Sequence, residues 1–502
     1  MRFRYTFLLF SLLFNQSVSG QQGSQNWCGY TGDSEWLDWY QRHTGIFNIS
    51  DRGNADTNWL YVPITAHIIG QNNGNGYIAL QELLNSVCEM NDLYAPARIR
   101  YYLLPGDAIR YHNNSNWYMH DWSGGENMIM TVTPSIKDRL NAFVVGDPAG
   151  NCGYAWHDAI VLKNGCSGSG NTTWAHEAGH HFSLPHPFRG WEGFTWDYAR
   201  PAPAKVNNRD VEKTNGSNCY TGGDRFCDTE PDYLNDRWPC NGNGRSNTLQ
   251  HDPDSITFRS DASLIMGYAH DACASRFSDE QIAAVRANLQ DEHISYLQIN
   301  TPLPDLNDDD QVVLVGPVDS SESVQYNHIE LKWNKLPGAR YYTVEISRTP
   351  TFSVMYFSET VVDVNHIMVN KPMPNNWTLY WRVRAYSDWD LCQPYDKAQI
   401  GSFRTQNLSA VNELERTAVI TLIPNLVASG VPAVLRIETE QTMDLAVAMC
   451  DATGRVLSQN RYRLYAGTNQ FEVPTDDLSA GIYTVLLQNE KGATVKRLVV
   501  VE

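Results

Sequence analysis

The sequence predicts an α/β domain with a twisted sheet over residues 58–300, followed by two all-β sandwiches over residues 312–405 and 413–502. The α/β prediction rests on a continuous apolar run at residues 60–69, typical of a buried strand, and on helically spaced apolar residues directly after it. The sandwich prediction rests on alternating apolar and polar residues in the last third of the chain. At 502 residues the chain is too long for one core, since domains average roughly 150 residues.

The N-terminus has the pattern of a signal peptide. Residues 1–20 combine Arg2 and Arg4 with a short apolar stretch and small residues before Gln21. The stretch is far shorter than the roughly 20 residues that a membrane span needs, and no later segment qualifies. The net charge of −18, without a basic block, argues against a nucleic-acid partner. We therefore expect an exported, soluble protein with no transmembrane segment.

The α/β domain contains a metal-ligand motif. Residues 174–188 read WAHEAGHHFSLPHPF, which is an H-E-x-x-H followed six residues later by a third histidine. On a helix, His176 and His180 are one turn apart, so both imidazoles point at one ion with Glu177 beside them. A proline downstream favours a helix end after His180, and the turning chain can bring His186 to the same ion.

This donor set is typical of a catalytic zinc. Three neutral nitrogen ligands leave the fourth position for water, whereas structural zinc sites are closed. Zinc lowers the pKa of that water to about 7, and Glu177 would act as the general base. The alternative is a helix that carries its histidines by chance or as ordinary core and surface groups. The third histidine favours the metal site.

Short apolar runs predict the rest of the sheet. Residues 98–104, 142–145 and 159–162 are expected to be strands. Residues 153–156 are expected to form the edge of the sheet above the cleft. An extended peptide could pair with such an edge through main-chain hydrogen bonds, which suits a protease.

Residues 21–57 are predicted to be a prosegment because they are polar and aromatic without a long periodic element. This segment contains Cys28. A thiolate there can occupy the open position of the metal and keep the precursor latent. The alternative is an ordinary disulfide.

The chain has ten cysteines, and an exported chain favours disulfides. Cys88 lies in the apolar helix pattern and is predicted to be a buried free thiol. The pairing of the others cannot be deduced from sequence. Those that flank or follow the histidine motif are Cys152, Cys166, Cys219, Cys227, Cys240 and Cys273.

The region after His186 is long, aperiodic and rich in Gly, Asn and Asp. A loop of this length needs stabilisation, which disulfides can supply. The turn at residues 223–229 offers a second source, because carboxylate and carbonyl oxygens can hold Ca²⁺. The alternative is a set of solvated turn acids, since Ca²⁺ usually takes roughly six to eight oxygens. Further on, Ser278 with Gln281 forms a capping box that begins a closing helix.

These motifs together resemble the metzincin zinc proteases. The resemblance rests on the histidine motif and on Met266 in a turn far downstream. Within that clan the chain is most similar to the pappalysin branch. The features that carry this similarity are Gly179 before the second histidine, the loop Cys227-Asp228-Thr229, and Met266-Gly267-Tyr268 followed by Cys273 and the closing helix.

The resemblance covers roughly residues 59–300 and implies several site residues. Met266 would form a hydrophobic base under the zinc, and Tyr268 would help to stabilise the oxyanion. On packing alone, both would be core residues. The family also implies calcium in the cysteine loop and a prosegment cysteine on zinc. The matching residues are Asp224, Cys227 (through its carbonyl) and Thr229 for calcium, and Cys28 for latency.

One residue departs from the metzincin pattern. Ser183 stands where the pattern has glycine between the second and third histidines. Glycine suits the positive φ that ends a helix sharply, so serine is expected to pay a steric cost or to turn differently. This makes the geometry of His186 the least secure part of the predicted site.

The last third predicts two non-catalytic β domains after a linker at residues 301–311. Residues 312–405 resemble a fibronectin type III sandwich, with Trp333 in its core and Phe403 on its last strand. Residues 413–502 resemble the sorting domain of the type IX secretion system, which implies a Bacteroidota-type bacterium. The alternative for the last domain is a plain accessory sandwich.

The sequence thus predicts a secreted or cell-surface zinc endopeptidase that acts on protein or peptide substrates and has the type IX machinery as a partner. The alternative is a surface adhesin that keeps the metalloprotease fold and its zinc but hydrolyses nothing. Ser183 is the best support for the adhesin. The spacing of motifs does not indicate the cleavage specificity.

Overall fold

The computed structural model describes residues 28–29, 34–43, 58–298, 303, 305–306, 311–392, 398–406, 414, 418–489 and 492–501. The predicted signal peptide lies outside the described residues, as does most of the predicted prosegment and linker. Within the described residues the α-helices are α1 (Glu35–Arg42), α2 (Leu80–Tyr94), α3 (Ser115–Tyr118), α4 (Trp122–Val132), α5 (Thr173–His181) and α6 (Asp279–Asp291). None of these helices has the length and apolar character needed to cross a membrane.

The first domain is built on a mixed sheet with the strand order β2-β1-β5-β8-β7, and β3 also pairs with β1. Strands β1, β2, β3, β5 and β8 run parallel, and β7 is an antiparallel edge. The strands are β1 (Leu60–Gly70), β2 (Ile99–Leu103), β3 (Ile109–Asn113), β4 (Met119–His120), β5 (Leu140–Val145), β6 (Asp147–Pro148), β7 (Gly153–Trp156), β8 (Ala159–Lys163), β9 (Lys205–Val206), β10 (Arg209–Asp210), β11 (Gln250–His251) and β12 (Thr257–Phe258).

The predicted strands and helices of this domain are present, and the core follows from their apolar patterns. Strand β1 is buried along its whole length, which is why its sequence is apolar without alternation. Helix α2 buries Leu83, Leu84 and Val87 in the same core as β1. Helix α6 begins at the predicted capping box, in which Ser278 Oγ accepts from the N–H of Gln281 at 3.1 Å.

The C-terminal part contains two β sandwiches with the same strand order. Each pairs a three-stranded sheet with a five-stranded sheet, in the orders β13-β15-β18 with β14-β20-β19-β16-β17 and β21-β23-β26 with β22-β28-β27-β24-β25. Trp333 and Phe403 are fully buried in the core of the first sandwich, as predicted.

The strands of the first sandwich are β13 (Leu314–Gly316), β14 (Ser323–Gln325), β15 (Ile329–Trp333), β16 (Tyr341–Ser347), β17 (Met355–Val362), β18 (His366–Val369), β19 (Thr378–Tyr386) and β20 (Gly401–Gln406). Those of the second are β21 (Ala418–Ile423), β22 (Leu426–Ala428), β23 (Ala433–Thr439), β24 (Met443–Cys450), β25 (Val456–Leu464), β26 (Gly467–Val473), β27 (Gly481–Asn489) and β28 (Gly492–Val501).

The prediction that Cys88 is a free thiol is wrong. Cys88 forms a disulfide with Cys392, which follows β19 of the first sandwich. The sequence pattern showed only the side of α2 that packs on the sheet, whereas its other side meets the sandwich through Gln81 and Thr343. The remaining disulfides join Cys152 to Cys166, Cys219 to Cys227 and Cys240 to Cys273, and Cys28 and Cys450 are buried thiols.

An aromatic side chain strengthens this contact between the first domain and the first sandwich. Trp389 packs between Tyr61 and Tyr102, with ring centroids 5.0 and 5.2 Å away. The guanidinium of Arg100 covers the Trp389 ring at 4.5 Å. The first sandwich is therefore both covalently and noncovalently attached to the domain that carries the histidine motif.

Candidate metal centre

Helix α5 presents the first two histidines of the motif from a fully buried position. All nine of its residues are buried, and it ends at His181. The chain then reverses sharply, with the N–H of Ser183 bonded to His180 O and the N–H of Leu184 bonded to Gly179 O, both at 2.9 Å. This reversal returns the chain towards the helix and delivers His186 to the same place.

Ser183 adopts the backbone conformation that its glycine counterpart would favour. Its φ is +72°, in the left-handed region, so the chain does not turn differently there. A non-glycine residue in this region costs roughly 1–2 kcal/mol. The hydroxyl of Ser183 accepts a hydrogen bond from Asn288 Nδ2 of α6 at 3.3 Å, which fastens the turn to the closing helix.

The three histidines converge through their Nε2 atoms. Nε2 of His180 lies 3.0 Å from Nε2 of His176 and 3.0 Å from Nε2 of His186. In a tetrahedral zinc site with Zn–N bonds of roughly 2.0–2.1 Å, ligand nitrogens lie about 3.3 Å apart. The spacing of the three rings therefore fits one zinc ion.

In each of the three rings the other nitrogen, Nδ1, hydrogen-bonds to an oxygen atom outside this centre. Nδ1 of His176 contacts Ile265 O at 2.8 Å, Nδ1 of His180 contacts Leu184 O at 2.7 Å, and Nδ1 of His186 contacts the Glu192 carboxylate at 3.2 Å. Oxygens of these kinds accept, so each Nδ1 carries the proton and each Nε2 presents a lone pair. Three lone pairs that face one another could hold one cation between them.

Burial favours the neutral form of the first two rings, those of His176 and His180. Desolvation lowers the pKa of His176 and of His180 well below the ordinary value, and the neighbouring histidines lower both further. A neutral imidazole is the form that binds a metal. Glu192, which orients His186, was missed from sequence because one acidic residue in an aperiodic loop gives no spacing signal.

Glu177 lies beside the cluster and against the sheet edge. Its side chain is fully buried, and a Cβ on Gly153 of β7 would lie 2.8 Å from its Oε1. Among the described residues Oε1 has no hydrogen-bond partner, so it is available to a water or substrate. Burial raises the pKa of Glu177 well above the usual range of a carboxyl, and the contact with Cys28 acts in the opposite direction.

Cys28 occupies the centre as a buried thiol, not as half of a disulfide. Its Sγ lies within 4.8 Å of the ligand atoms of all three histidines and 3.6 Å from Glu177 Oε2. Main-chain contacts hold it there, because the N–H of Gly29 donates to Gly153 O at 3.0 Å. The predicted sheet edge thus pairs at Gly153 with residues 28–29 of this same chain.

Met266 and Tyr268 lie on two sides of the cluster. Met266 is fully buried, and a Cβ on Gly179 would lie 2.4 Å from its sulfur, so Met266 packs directly on α5 between His176 and His180. The ring of Tyr268 lies 5.0 Å from the ring of His186. Its hydroxyl donates to Cys28 O at 3.1 Å, which shows that it can reach a carbonyl oxygen in the cleft.

The predicted calcium loop contains a second buried polar cluster. The Thr229 hydroxyl donates to Asp224 Oδ1 at 2.9 Å, while Cys227 is held by its disulfide and by an N–H bond to Glu280 at 2.8 Å. Glu212, which sequence reasoning missed, is also buried. Within the described residues, Asp224 Oδ2 and Glu212 Oε2 have no hydrogen-bond partner. Burial raises the pKa of both carboxyls, and the charge of Asp224 adds to the effect on Glu212.

Comparison with known proteins bears mainly on the end of the chain. Residues 431–501 match the family described as "Secretion system C-terminal sorting domain". The chain therefore carries a type IX sorting domain and is exported to the cell surface or the extracellular space. No curated protein matches the sequence.

Among solved structures, the chain is similar to a promirolysin mutant from Tannerella forsythia, with a TM-score of 0.36 and 14% identity over 55% of this chain and 100% of that one. It is also similar to the BSP domain of a biofilm associated protein, with a TM-score of 0.16 and 12% identity over 38% of this chain and 29% of that one. Neither similarity is strong enough to establish a shared fold or activity.

Proposed function

We propose that the protein is a zinc-dependent endopeptidase that is exported as a latent precursor. The observation that carries this proposal is the convergence of three Nε2 lone pairs from His176, His180 and His186 at 3.0 Å spacings, beside the buried carboxyl of Glu177. The convergence calls for a cation, and the carboxyl supplies a base. A set of structural histidines would have no use for such a carboxyl.

Zinc bound by the three histidines would polarise a substrate carbonyl and lower the pKa of water to about 7. Glu177 takes the proton from the attacking water and passes it to the leaving amine. Glu177 holds the proton between the two steps. The Tyr268 hydroxyl donates to the developing oxyanion, as it donates to Cys28 O in the precursor. Strand β7 binds the substrate backbone.

Latency is assigned to Cys28. Its sulfur lies where an incoming water or carbonyl would have to enter, and its carbonyl and the neighbouring N–H use the hydrogen bonds that a substrate needs. A thiolate at the open position of the metal excludes water. Removal of the prosegment uncovers all of these groups together.

Among metzincins, the pappalysin branch is the assignment that the site supports best. Met266 packed against Gly179, and Tyr268 beside His186, match the roles which that branch gives to these positions. A calcium ion held by Asp224, the Cys227 carbonyl and Thr229, with Glu212 as a further ligand, belongs to the same proposal, because two buried carboxyl oxygens there lack partners among the described residues. The first sandwich would be a fibronectin type III-like module that supports the catalytic domain.

The calcium site has a direct test. Thermal unfolding in excess Ca²⁺ is expected to shift upward, since a hundredfold excess over Kd adds about 2.7 kcal/mol to the free energy of unfolding. Glu212→Gln should reduce the shift while zinc content stays unchanged. A shift of equal size in the variant would show that this pair does not bind the ion.

The proposed activity is tested by Glu177→Ala in a Cys28→Ala background, both as the precursor and after an added protease has removed the prosegment. Casein cleavage should disappear while zinc, measured by mass spectrometry, stays near one per chain. Cys28→Ala alone, and Cys28→Ala with Glu359→Gln in the exposed part of β17, are the matched controls. Undiminished cleavage in Glu177→Ala would exclude the assignment.

The same assay distinguishes the proposed endopeptidase from the alternative, a zinc-binding adhesin. An adhesin would bind zinc in every variant but would cleave no casein with or without a chelator. An endopeptidase would cleave, and would lose that cleavage when its zinc is removed.

A further inference from the structure

The segment that fills the candidate cleft is crowded at one residue. A Cβ on Gly29 would lie 2.4 Å from Trp122 Cη2, 2.7 Å from Trp122 Cζ2 and 3.0 Å from Asn151 Nδ2. Distances under 3.0 Å are not tolerated without a shift of the neighbour. No residue larger than glycine fits at this point while Trp122 and Asn151 keep their positions.

Other residues hold both Trp122 and Asn151 in position. The ring of Trp122 packs on the ring of Tyr154, with centroids 4.9 Å apart, and the hydroxyl of Tyr154 contacts His120 Nε2 at 2.9 Å. Tyr154 belongs to β7 and is 1% exposed, so its ring cannot move without disturbing the packing around it. Asn151 is buried, and its amide donates to Pro148 O at 3.2 Å and Ala149 O at 3.1 Å.

The position of Gly29 is also where a substrate residue would lie. Gly29 directly follows the residue whose sulfur lies at the metal centre, and its N–H pairs with Gly153 O on the open edge of the sheet. Glu177 lies against the same Gly153. A substrate backbone that pairs with this edge near the scissile bond therefore passes between Trp122 and Asn151.

We infer that Trp122 and Asn151 form a closed subsite that selects glycine next to the scissile bond, so that the enzyme cleaves glycine-containing segments of extended polypeptides. This inference rests on the proposed peptidase activity and adds its substrate class. Trp122 is the specificity-determining residue, because its indole atoms are the two nearest to a Cβ built on Gly29 and so fill the space that a larger substrate side chain would need. The prosegment meets the same restriction by carrying Gly29.

The test compares the processed enzyme with Trp122→Ala on a positional library of peptides. The wild type should accept glycine at one position flanking the scissile bond and reject leucine there. Trp122→Ala should raise kcat/KM for the leucine peptide, relative to the glycine peptide, by roughly 10- to 100-fold. Met130→Ala, which removes an exposed side chain on the same helix α4, is the control and should change nothing.

The inference would be overturned if no flanking position discriminated against leucine, or if Trp122→Ala kept the discrimination. A second measurement does not need catalysis. In the precursor, Gly29→Ala should expose the Cys28 thiol to a colorimetric thiol reagent, and Gly29→Ala with Trp122→Ala should bury it again.

An enzyme that cleaves no peptide, together with this rescue of thiol burial, would mean that the peptidase proposal is wrong but the closed subsite is right. Gly29→Ala with an unreactive thiol would overturn the subsite. Cys450→Ala identifies the contribution of the other thiol.

Discussion

Two described parts of the proposed prosegment, residues 28–29 and helix α1, contact the first domain, and the two contacts have opposite character. At Cys28 and Gly29 the contacts are polar and mostly main-chain, and they lie at the metal centre. At helix α1 the contacts are apolar, with Leu37 and Tyr40 1% and 3% exposed in the same core cluster as Phe226. The first anchor covers the reacting groups, and the second buries apolar surface away from them.

This difference suggests separate roles: the contact at Cys28 and Gly29 blocks the metal centre, whereas the contact at α1 determines how tightly the segment binds. Main-chain pairing blocks a site but contributes little net free energy of binding, because water offers the same hydrogen bonds, and the Cys28 thiol contributes to binding only through the metal. Burial of Leu37 and Tyr40 removes apolar area from water and stabilises the docked segment. We therefore expect variants at the two anchors to change different quantities.

The largest effect is expected from Cys28→Ala. Loss of the thiol opens the metal position in the intact precursor, and its peptide hydrolysis should rise roughly 100-fold or more, since metal–ligand bonds contribute several kcal/mol. Activity is measured before any processing, with Cys450→Ala as the control. A precursor that stays inactive would mean that latency does not depend on the thiol.

Leu37→Ala should weaken attachment without opening the centre. Truncation of a buried leucine costs about 2–5 kcal/mol, and 2 kcal/mol corresponds to roughly 30-fold in affinity. The measurement is calorimetric binding of a synthetic peptide of residues 21–57 to the processed enzyme. Equal affinity of the wild-type and variant peptides would show that α1 adds no binding energy.

Ser34→Ala should have a smaller effect in the same assay. The Ser34 hydroxyl accepts from the N–H of Leu37 at 3.0 Å and caps α1. Loss of an N-cap costs about 1 kcal/mol, or roughly fivefold in affinity. Ser34→Asp, which preserves the cap, should bind like the wild type, and failure of this rescue would exclude capping as the cause.

The smallest effect is expected from Asp38→Asn. Asp38 pairs with Arg225 at the partly exposed end of α1, while Gln41 Nε2 donates to Arg225 O at 2.9 Å. Ion pairs of this kind contribute roughly 0–1 kcal/mol and are screened by salt. The difference between the peptides should disappear in high salt, and a difference that persists would point to a structural change instead.

The sequence could predict those features of the site whose residues lie within a few positions of one another in the chain. His176, His180 and Glu177 follow from helical periodicity, and His186 from a turn only a few residues long. Of the two outcomes expected at Ser183, the structure shows the steric cost, because the serine adopts a positive φ. Its hydroxyl meets Asn288, a partner on a distant helix that the sequence does not indicate.

Glu192, Glu212 and Trp122 were missed because each acts through a partner that only the tertiary structure brings close. Glu192 meets a histidine in an aperiodic loop, and Glu212 meets Asp224 across a turn. Cys88 was mispredicted for the same reason, since its partner is 304 residues away. Element types and the convergence of the three histidines were therefore predictable, whereas the contacts that orient the histidines were not.

The bond between Cys88 and Cys392 has a consequence for transport. It closes a covalent ring across a sequence separation of 304 residues, and the ring includes the whole histidine centre. A ring cannot be threaded through a pore as one extended strand. If the bond forms before the protein crosses the outer membrane, the transporter must be wide enough to admit at least two strands of this ring side by side. The sorting domain at residues 431–501 lies outside the ring, so the bond does not constrain it.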